Sequence, residues 1–127
     1  MSERRRATSG SPWEERIGFS RALRVADRVH VSGTGPVWPD GSCEPDAGSQ
    51  ARRCVEIIAE ALADLGAGID DVVRTRMFIV DAADAEAVGE VHSSFFSRAR
   101  PAATMVVVQG LLDPRWRVEI EAEAAVG

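Results

Sequence analysis

Hydrophobic and polar residues alternate with a period of two in some parts of the chain and recur every three or four positions in others. Alternation over residues 19–31 predicts a β-hairpin that turns at Ala26 and Asp27. Apolar residues then follow helical spacing from Ala51 onward. This spacing predicts a helix that Asp46 caps at its N-terminus and Gly66 ends.

The second half of the chain predicts one more helix and three more strands. Residues 84–97 have helical spacing, and β-branched or alternating runs predict strands over residues 72–80, 104–109 and 118–126. Between the hairpin and the first helix, residues 32–46 are rich in Gly and Pro. This composition is typical of a loop, and long loops often border a functional site.

The order of these elements, ββαβαββ, predicts an α+β fold in which one sheet carries both helices on a single face. The opposite face would display Val and Phe beside Arg and Glu. A chain of 127 residues is too short to cover that face with a second layer. We therefore expect another copy to cover it in a homo-oligomer. Polar residues 1–15 predict a flexible N-terminal tail ahead of a single domain over residues 16–127.

Charge and residue content exclude several partners and reactions. The formal net charge is −5, so nucleic acid is not an expected partner. No apolar run reaches the length of a membrane span, and we expect a cytoplasmic protein without membrane association. All 15 basic residues are Arg, so chemistry that needs a lysine, such as a Schiff base, a PLP attachment or a P-loop, is excluded.

The two cysteines, Cys43 and Cys54, lack the spacing of a redox pair and have no Cys or His partner set for zinc. We interpret both as ordinary residues. Neither a metal nor a cofactor is expected.

Six short segments repeat, in order, the pattern of a known family. They are residues 29–33 (VHVSG), 50–66, 71–75 (DVVRT), 95–96 (FF), 100–102 (RPA) and 118–122 (VEIEA). These segments resemble the Rid family, the YjgF-like reactive intermediate deaminases, from about Ile17 to the C-terminus. The resemblance implies a chorismate-mutase-like protomer and a homotrimer whose sheets form a central barrel. It also implies that small metabolites bind in pockets between the subunits.

Deaminases of this family hydrolyse imines or enamines, with a glutamate in the last strand that positions water. The resemblance assigns that role to Glu119. The family's arginine, which follows a Pro-Ala pair and holds a substrate carboxylate, is replaced here by Ala103. A methyl group cannot form the paired hydrogen bonds of a guanidinium with a carboxylate.

The same resemblance gives a set of expected ligand-binding positions. Thr34 stands where a glutamine is frequent, and Gly89 lies near the position of a family asparagine. The full set is Phe19, Gly33, Thr34, Gly89, His92, Ala103 and Met105.

Each candidate also has a structural interpretation. Glu119, with Glu121 on the same side of the strand, could pair with an arginine of a neighbouring subunit instead of acting on a ligand. His92 could be a satisfied core or interface histidine. Trp38 and Trp116 could line a pocket or an oligomer interface.

An arginine from elsewhere in the chain could serve the pocket in place of position 103, or could remain a surface charge. The sequence does not choose among the candidates, which are Arg76, Arg98, Arg100, Arg115 and Arg117.

Two functions follow from these residues. The first is hydrolysis or isomerisation of a small reactive imine or enamine, with Glu119 as general base or water holder. The alternative is a non-catalytic homotrimer that binds a small molecule or a partner through the same clefts. Ribonuclease activity is disfavoured, because the chain is acidic and has no basic stripe or histidine pair.

Overall fold

A computed structural model describes residues 3–127 of the chain, which form one six-stranded sheet packed against helices. The strands are β1 (Arg4–Ala7), β2 (Ala22–Val25), β3 (Arg28–Thr34), β4 (Val72–Ile79), β5 (Ala102–Val107) and β6 (Val118–Ala125). The helices are α1 (Pro12–Ile17), α2 (Ala47–Asp64) and α3 (Ala85–Phe96). Short 3-10 turns over Ile69–Asp71 and Ala82–Asp84 precede β4 and α3.

The strands lie in the order β1-β2-β3-β6-β4-β5. Neighbours are antiparallel except β4 and β5, which run parallel because α3 forms the crossover between them. The predicted α+β fold, with one sheet and the two long helices on one of its faces, is confirmed.

The core lies between α2, α3 and one face of the sheet. Strand β6 shows the alternation that creates it: Val118, Ile120 and Ala122 are buried under the helices, while the glutamates between them point to the other face. We call the face that carries Glu119, Glu121 and Glu123 the open face. No helix among residues 3–127 is long and apolar enough to cross a membrane.

Helix α2 begins and ends as its sequence predicts. The Asp46 carboxylate accepts a hydrogen bond from the Ser49 amide at 2.9 Å, which caps the N-terminus. Gly66 adopts a left-handed conformation with φ of 77° just beyond the C-terminus. Arg24 donates to the Leu65 carbonyl at 2.7 Å, which also ties the helix end to β2.

The N-terminal segment differs from the expected flexible tail. Residues 1 and 2 lie outside the described residues, but β1 pairs with β2 and extends the sheet. Helix α1 follows, with Ser11 as its N-cap and Gly18 ending it at a φ of 91°. The expected domain boundary at residue 16 is therefore wrong. The three arginines of β1 show no apolar alternation, so only the pairing with β2 reveals the strand.

Candidate functional site

Glu119 lies against the backbone of Gly33 on the open face. The pairing of β3 with β6 shifts register between Val31 and Thr34, and Gly33 lies within this irregularity. A β-carbon built on Gly33 would overlap the Oε2 atom of Glu119. The missing side chain of Gly33 therefore provides the space that the carboxylate occupies.

Arg21 is the site residue that the sequence analysis missed. It directly precedes β2, and its Nη2 donates a hydrogen bond to the Gly33 carbonyl at 2.5 Å. Its guanidinium carbon lies 5.8 Å from the centre of the Phe19 ring. Burial lowers the pKa of Arg21, while the negative charges of Glu14 and Glu119 act in the opposite direction.

Burial and two charged neighbours act on the pKa of Glu119, which is half-buried. Burial raises the pKa of its carboxyl above the ordinary value, Arg21 opposes this rise, and Glu121 adds to it. A carboxylate with a raised pKa is a better proton acceptor near neutral pH. The environment of Glu119 thus suits a general base.

A cleft of about 440 Å³ opens beside this group on the same face of the sheet. We call it the open-face cleft. Glu119 is not among its lining residues, but its neighbours Phe19, Ser32 and Glu121 are. The part of the cleft that lies farther along the strands is lined by Leu23, His30, Glu123 and Arg6.

His92 belongs to a second group on the other side of the sheet. Its Nε2 lies 2.8 Å from the Oγ1 atom of Thr75, which is fully buried, and its ring packs on Phe96 with centroids 4.6 Å apart. Burial lowers the pKa of His92. A second cleft, of about 490 Å³, is lined by His92, Phe96, Arg100 and Pro101 among others.

Strand β5 places Ala103 and Met105 near this second group. Ala103 is the register partner of Thr75, and Met105 is the partner of Met77 and packs toward the core. Side chains alternate along a strand, so Ala103 lies on the helix side of the sheet and Glu119 on the open face. The two positions therefore do not share a cleft within one protomer.

The remaining expected positions have different surroundings. Thr34 is buried, and its hydroxyl donates to the Ser32 carbonyl at 2.8 Å. Gly89 lies on α3, and a β-carbon built there would meet nothing within 4 Å. Of the expected ligand-binding set, Gly33 lies against Glu119, and Phe19 lines the open-face cleft and packs against Arg21.

The two loop tryptophans and the buried cysteine are held by local contacts. Trp38 donates to the Glu44 carboxylate at 3.0 Å and packs under Arg53 at 4.0 Å. The Trp116 indole fills the space that a side chain at Gly35 would need. Cys54 is fully buried, and burial raises the pKa of its thiol, as expected for an ordinary residue.

Comparisons with known proteins identify the family. The family model described as endoribonuclease L-PSP matches residues 12–126. An uncharacterised protein of Streptomyces coelicolor is 43% identical over 97% of this chain and 92% of its own length. The 3-aminoacrylate deaminase RutC of Acinetobacter baylyi is 33% identical over 83% of this chain and 84% of its own length.

A solved structure agrees with these matches. The crystal structure of a YjgF/YER057c/UK114 family member from Mycobacterium tuberculosis superposes with a TM-score of 0.90 at 40% identity, covering 98% of this chain and all of the other. The chain belongs to the YjgF/Rid family.

Four of the five arginines considered for the pocket of this Rid protein are paired elsewhere. Arg117 binds Asp84 through two hydrogen bonds, Arg115 binds Asp113, and Arg98 lies 3.5 Å from Asp70. Arg76 lies between Glu121 and Glu123, at 3.8 and 3.4 Å. Arg100 lines the second cleft. Within residues 3–127, Arg21 is the arginine that acts on Glu119.

Proposed function

We propose that this Rid family protein hydrolyses a small imine or enamine, with Glu119 as general base or water holder. The observation that carries the proposal is the half-buried Glu119 carboxylate, which is fixed against Gly33 and raised in pKa beside the open-face cleft. One relative at 33% identity is named a deaminase, which supports the same class of reaction.

The reaction needs one proton acceptor and one water molecule. An enamine first takes a proton from solvent at carbon and becomes an iminium ion, and water then adds to the carbon of the C=N bond. Glu119 accepts the proton that this water loses and passes it to the nitrogen of the resulting carbinolamine. The C–N bond breaks, nitrogen leaves as ammonia, and the hydroxyl group loses its proton to solvent and becomes a carbonyl.

We further propose that a homotrimer completes the site. Ala103, Met105 and His92 lie on the opposite side of the sheet from Glu119, so a pocket that uses both groups needs a second subunit. Strand β5 supports such an arrangement because it is a sheet edge with exposed Val106 and Val107. Pairing with another copy would cover both the edge and the apolar side chains.

The test is the rate of ammonia release from an imine generated in the assay by an oxidase. The intact protein should accelerate this release over buffer, and Glu119→Gln should abolish at least 90% of the acceleration because an amide cannot accept the proton. Glu60→Gln, an exposed change on α2 outside the site, is the matched control and should retain full activity. No acceleration by the wild-type protein would contradict the proposal.

Ala103 favours a second function, that of a non-catalytic module that binds a small molecule. A binding module needs the cleft but not the proton acceptor. A ligand at 100 times its dissociation constant would stabilise the fold by about 2.7 kcal/mol, which a thermal-shift screen of small metabolites would detect. A stabilising metabolite that is not consumed, and that binds Glu119→Gln equally well, would support this alternative.

A further inference from the structure

The guanidinium of Arg21 is enclosed by groups of the protein itself. Its Nη2 donates to the Gly33 carbonyl, and the negative charges of Glu14 and Glu119 act on it. Glu14 is buried and held by the Ser9 amide at 3.1 Å, so α1 keeps this carboxylate in place. The Nε atom of Arg21 is buried and has no hydrogen-bond partner among the described residues, so its N–H is closed to a substrate. With Nη2 bound to Gly33 and Nε enclosed, Arg21 does not present the Nε and Nη2 pair that binds a carboxylate.

The other arginines of the open face do not supply that pair beside Glu119. Arg76 lies between Glu121 and Glu123. Arg6 lines the open-face cleft in the row of Leu23, His30 and Glu123. That row is four residues along β6 from Glu119, about 13 Å at ~3.3 Å per residue. Within one protomer, the charged groups that act on Glu119 are Arg21 and Glu121, and position 103 carries no arginine.

We infer that the site accepts an imine that carries no carboxylate group, and that Arg21 is a positioning residue that holds the Gly33 backbone against which Glu119 lies. This inference rests on the proposed function and names its substrate class. Glu119 and Glu121 would repel an α-imino acid and attract the positive charge of a protonated imine.

The reaction of such a substrate is balanced without a further reagent. A protonated aldimine, R–CH=NH2⁺, and one water give an aldehyde and an ammonium ion. Water forms the new C–O bond as Glu119 accepts its proton, and Glu119 then protonates the nitrogen. The C–N bond breaks, ammonia leaves, and it takes up the proton that the carbonyl oxygen loses.

Two imines that differ only in a carboxylate test the substrate class. Oxidation of butylamine gives butan-1-imine, and oxidation of norvaline gives 2-iminopentanoate, each formed in the assay by the matching oxidase. We expect kcat/KM to be at least tenfold higher for butan-1-imine, which corresponds to 1.4 kcal/mol. A preference for 2-iminopentanoate would overturn the inference and leave the proposed function standing.

Calorimetry measures the binding of butylammonium and of pentanoate, and so tests whether the site prefers a cation or an anion without any catalysis. Butylammonium should bind at least tenfold more tightly. Equal binding, or tighter binding of pentanoate, would overturn the inference. If neither imine is turned over, the proposed function fails, and this binding result alone decides whether the site selects cations.

Arg21 variants separate positioning from substrate binding. Arg21→Gln removes the charge that lowers the pKa of Glu119, so the acidic limb of the pH profile should move to higher pH while KM changes less than twofold. Arg21→Lys keeps the charge and should restore the position of that limb. A rise in KM confined to 2-iminopentanoate would instead make Arg21 an anchor for a substrate anion. Carboxyl NMR titration of Glu119 gives the same pKa comparison in the absence of substrate.

Discussion

The Glu119 carboxylate and the α-carbon of Gly33 are in direct contact, which leaves no room for a β-carbon at position 33. The contact joins β3 to β6 and sets where the carboxylate lies on the open face. Arg21 donates a hydrogen bond to the carbonyl of the same glycine. The backbone of Gly33 therefore contacts both charged groups, the Glu119 carboxylate and the Arg21 guanidinium.

We predict that Gly33→Ala lowers the rate of imine hydrolysis at least tenfold, because the added methyl group must displace the Glu119 carboxylate. Stability should change little, since the displaced atoms are the end of a flexible side chain. The imine assay and urea unfolding measure the two effects. Gly48→Ala is the matched control, because its β-carbon would meet neighbours only at the ordinary distances of 3.6 and 3.9 Å. Equal activity of the two variants would contradict the role of the close contact.

Glu119→Gln should be more stable than the wild type at neutral pH, although it is inactive. The folded state raises the pKa of Glu119, so the folded protein binds the proton more tightly than the unfolded chain. The free energy of unfolding of the wild type therefore decreases as pH rises through the window between the ordinary and the raised pKa. The two proteins should converge below the ordinary glutamate pKa. Denaturant unfolding at several pH values measures the difference, which would be absent if Glu119 were fully solvated.

His92 should titrate below the ordinary histidine pKa, because burial against Phe96 disfavours its charged form. The unfolded chain therefore binds a proton at His92 more tightly than the folded protein does. The free energy of unfolding should fall as pH decreases below about 6.5. The NMR signal of the His92 ring, assigned by its loss in His92→Gln, reports the midpoint directly. A midpoint at or above 6.5 would contradict this prediction.

Sedimentation equilibrium should show a species of three times the 13.7 kDa chain mass. Val107→Arg places a charge on the exposed edge of β5 and should shift the equilibrium toward the monomer. A wild-type monomer at micromolar concentration would exclude the shared pocket. A trimer that Val107→Arg leaves intact would place the interface elsewhere.

Ala103→Arg should create affinity for small carboxylates in the assembled oligomer, where a neighbouring subunit can bring position 103 to a cleft. A guanidinium there would form paired hydrogen bonds with a carboxylate, and binding of pyruvate or 2-oxobutyrate should tighten at least tenfold by calorimetry. Ala102→Arg is the control, since adjacent side chains on β5 point to opposite faces. Wild-type binding as tight as that of Ala103→Arg would show that another arginine already serves the pocket.

The elements that depend on local signals are the ones that the sequence predicts best. Helix α2 has a regular apolar stripe, a capping Asp46 and a terminal Gly66, and all three act within one or two turns. Strand β1 was missed because it depends on hydrogen bonds to β2, about twenty residues away along the chain. Its arginines are compatible with an edge strand but do not predict one.

The site was harder to predict because its contacts depend on register. Gly33, whose missing side chain leaves space for Glu119, lies in the irregular pairing of β3 with β6, and Arg21 binds its carbonyl. Neither contact has a sequence pattern. The separation of Ala103 from Glu119 by the thickness of the sheet likewise follows from strand pairing, which periodicity alone does not determine.

The pairing of β1 with β2 has a practical consequence for anyone shortening the chain. Truncation at residue 16, where the composition changes, would remove Glu14, whose charge acts on Arg21. It would also make β2 an edge strand of the sheet. The unpaired amides and carbonyls of β2 would then be free to recruit strands from other molecules. The shortened protein would thus have altered charges around Arg21 and Glu119 and a tendency to precipitate. If it were inactive, that result would say nothing about the chemistry of the intact chain.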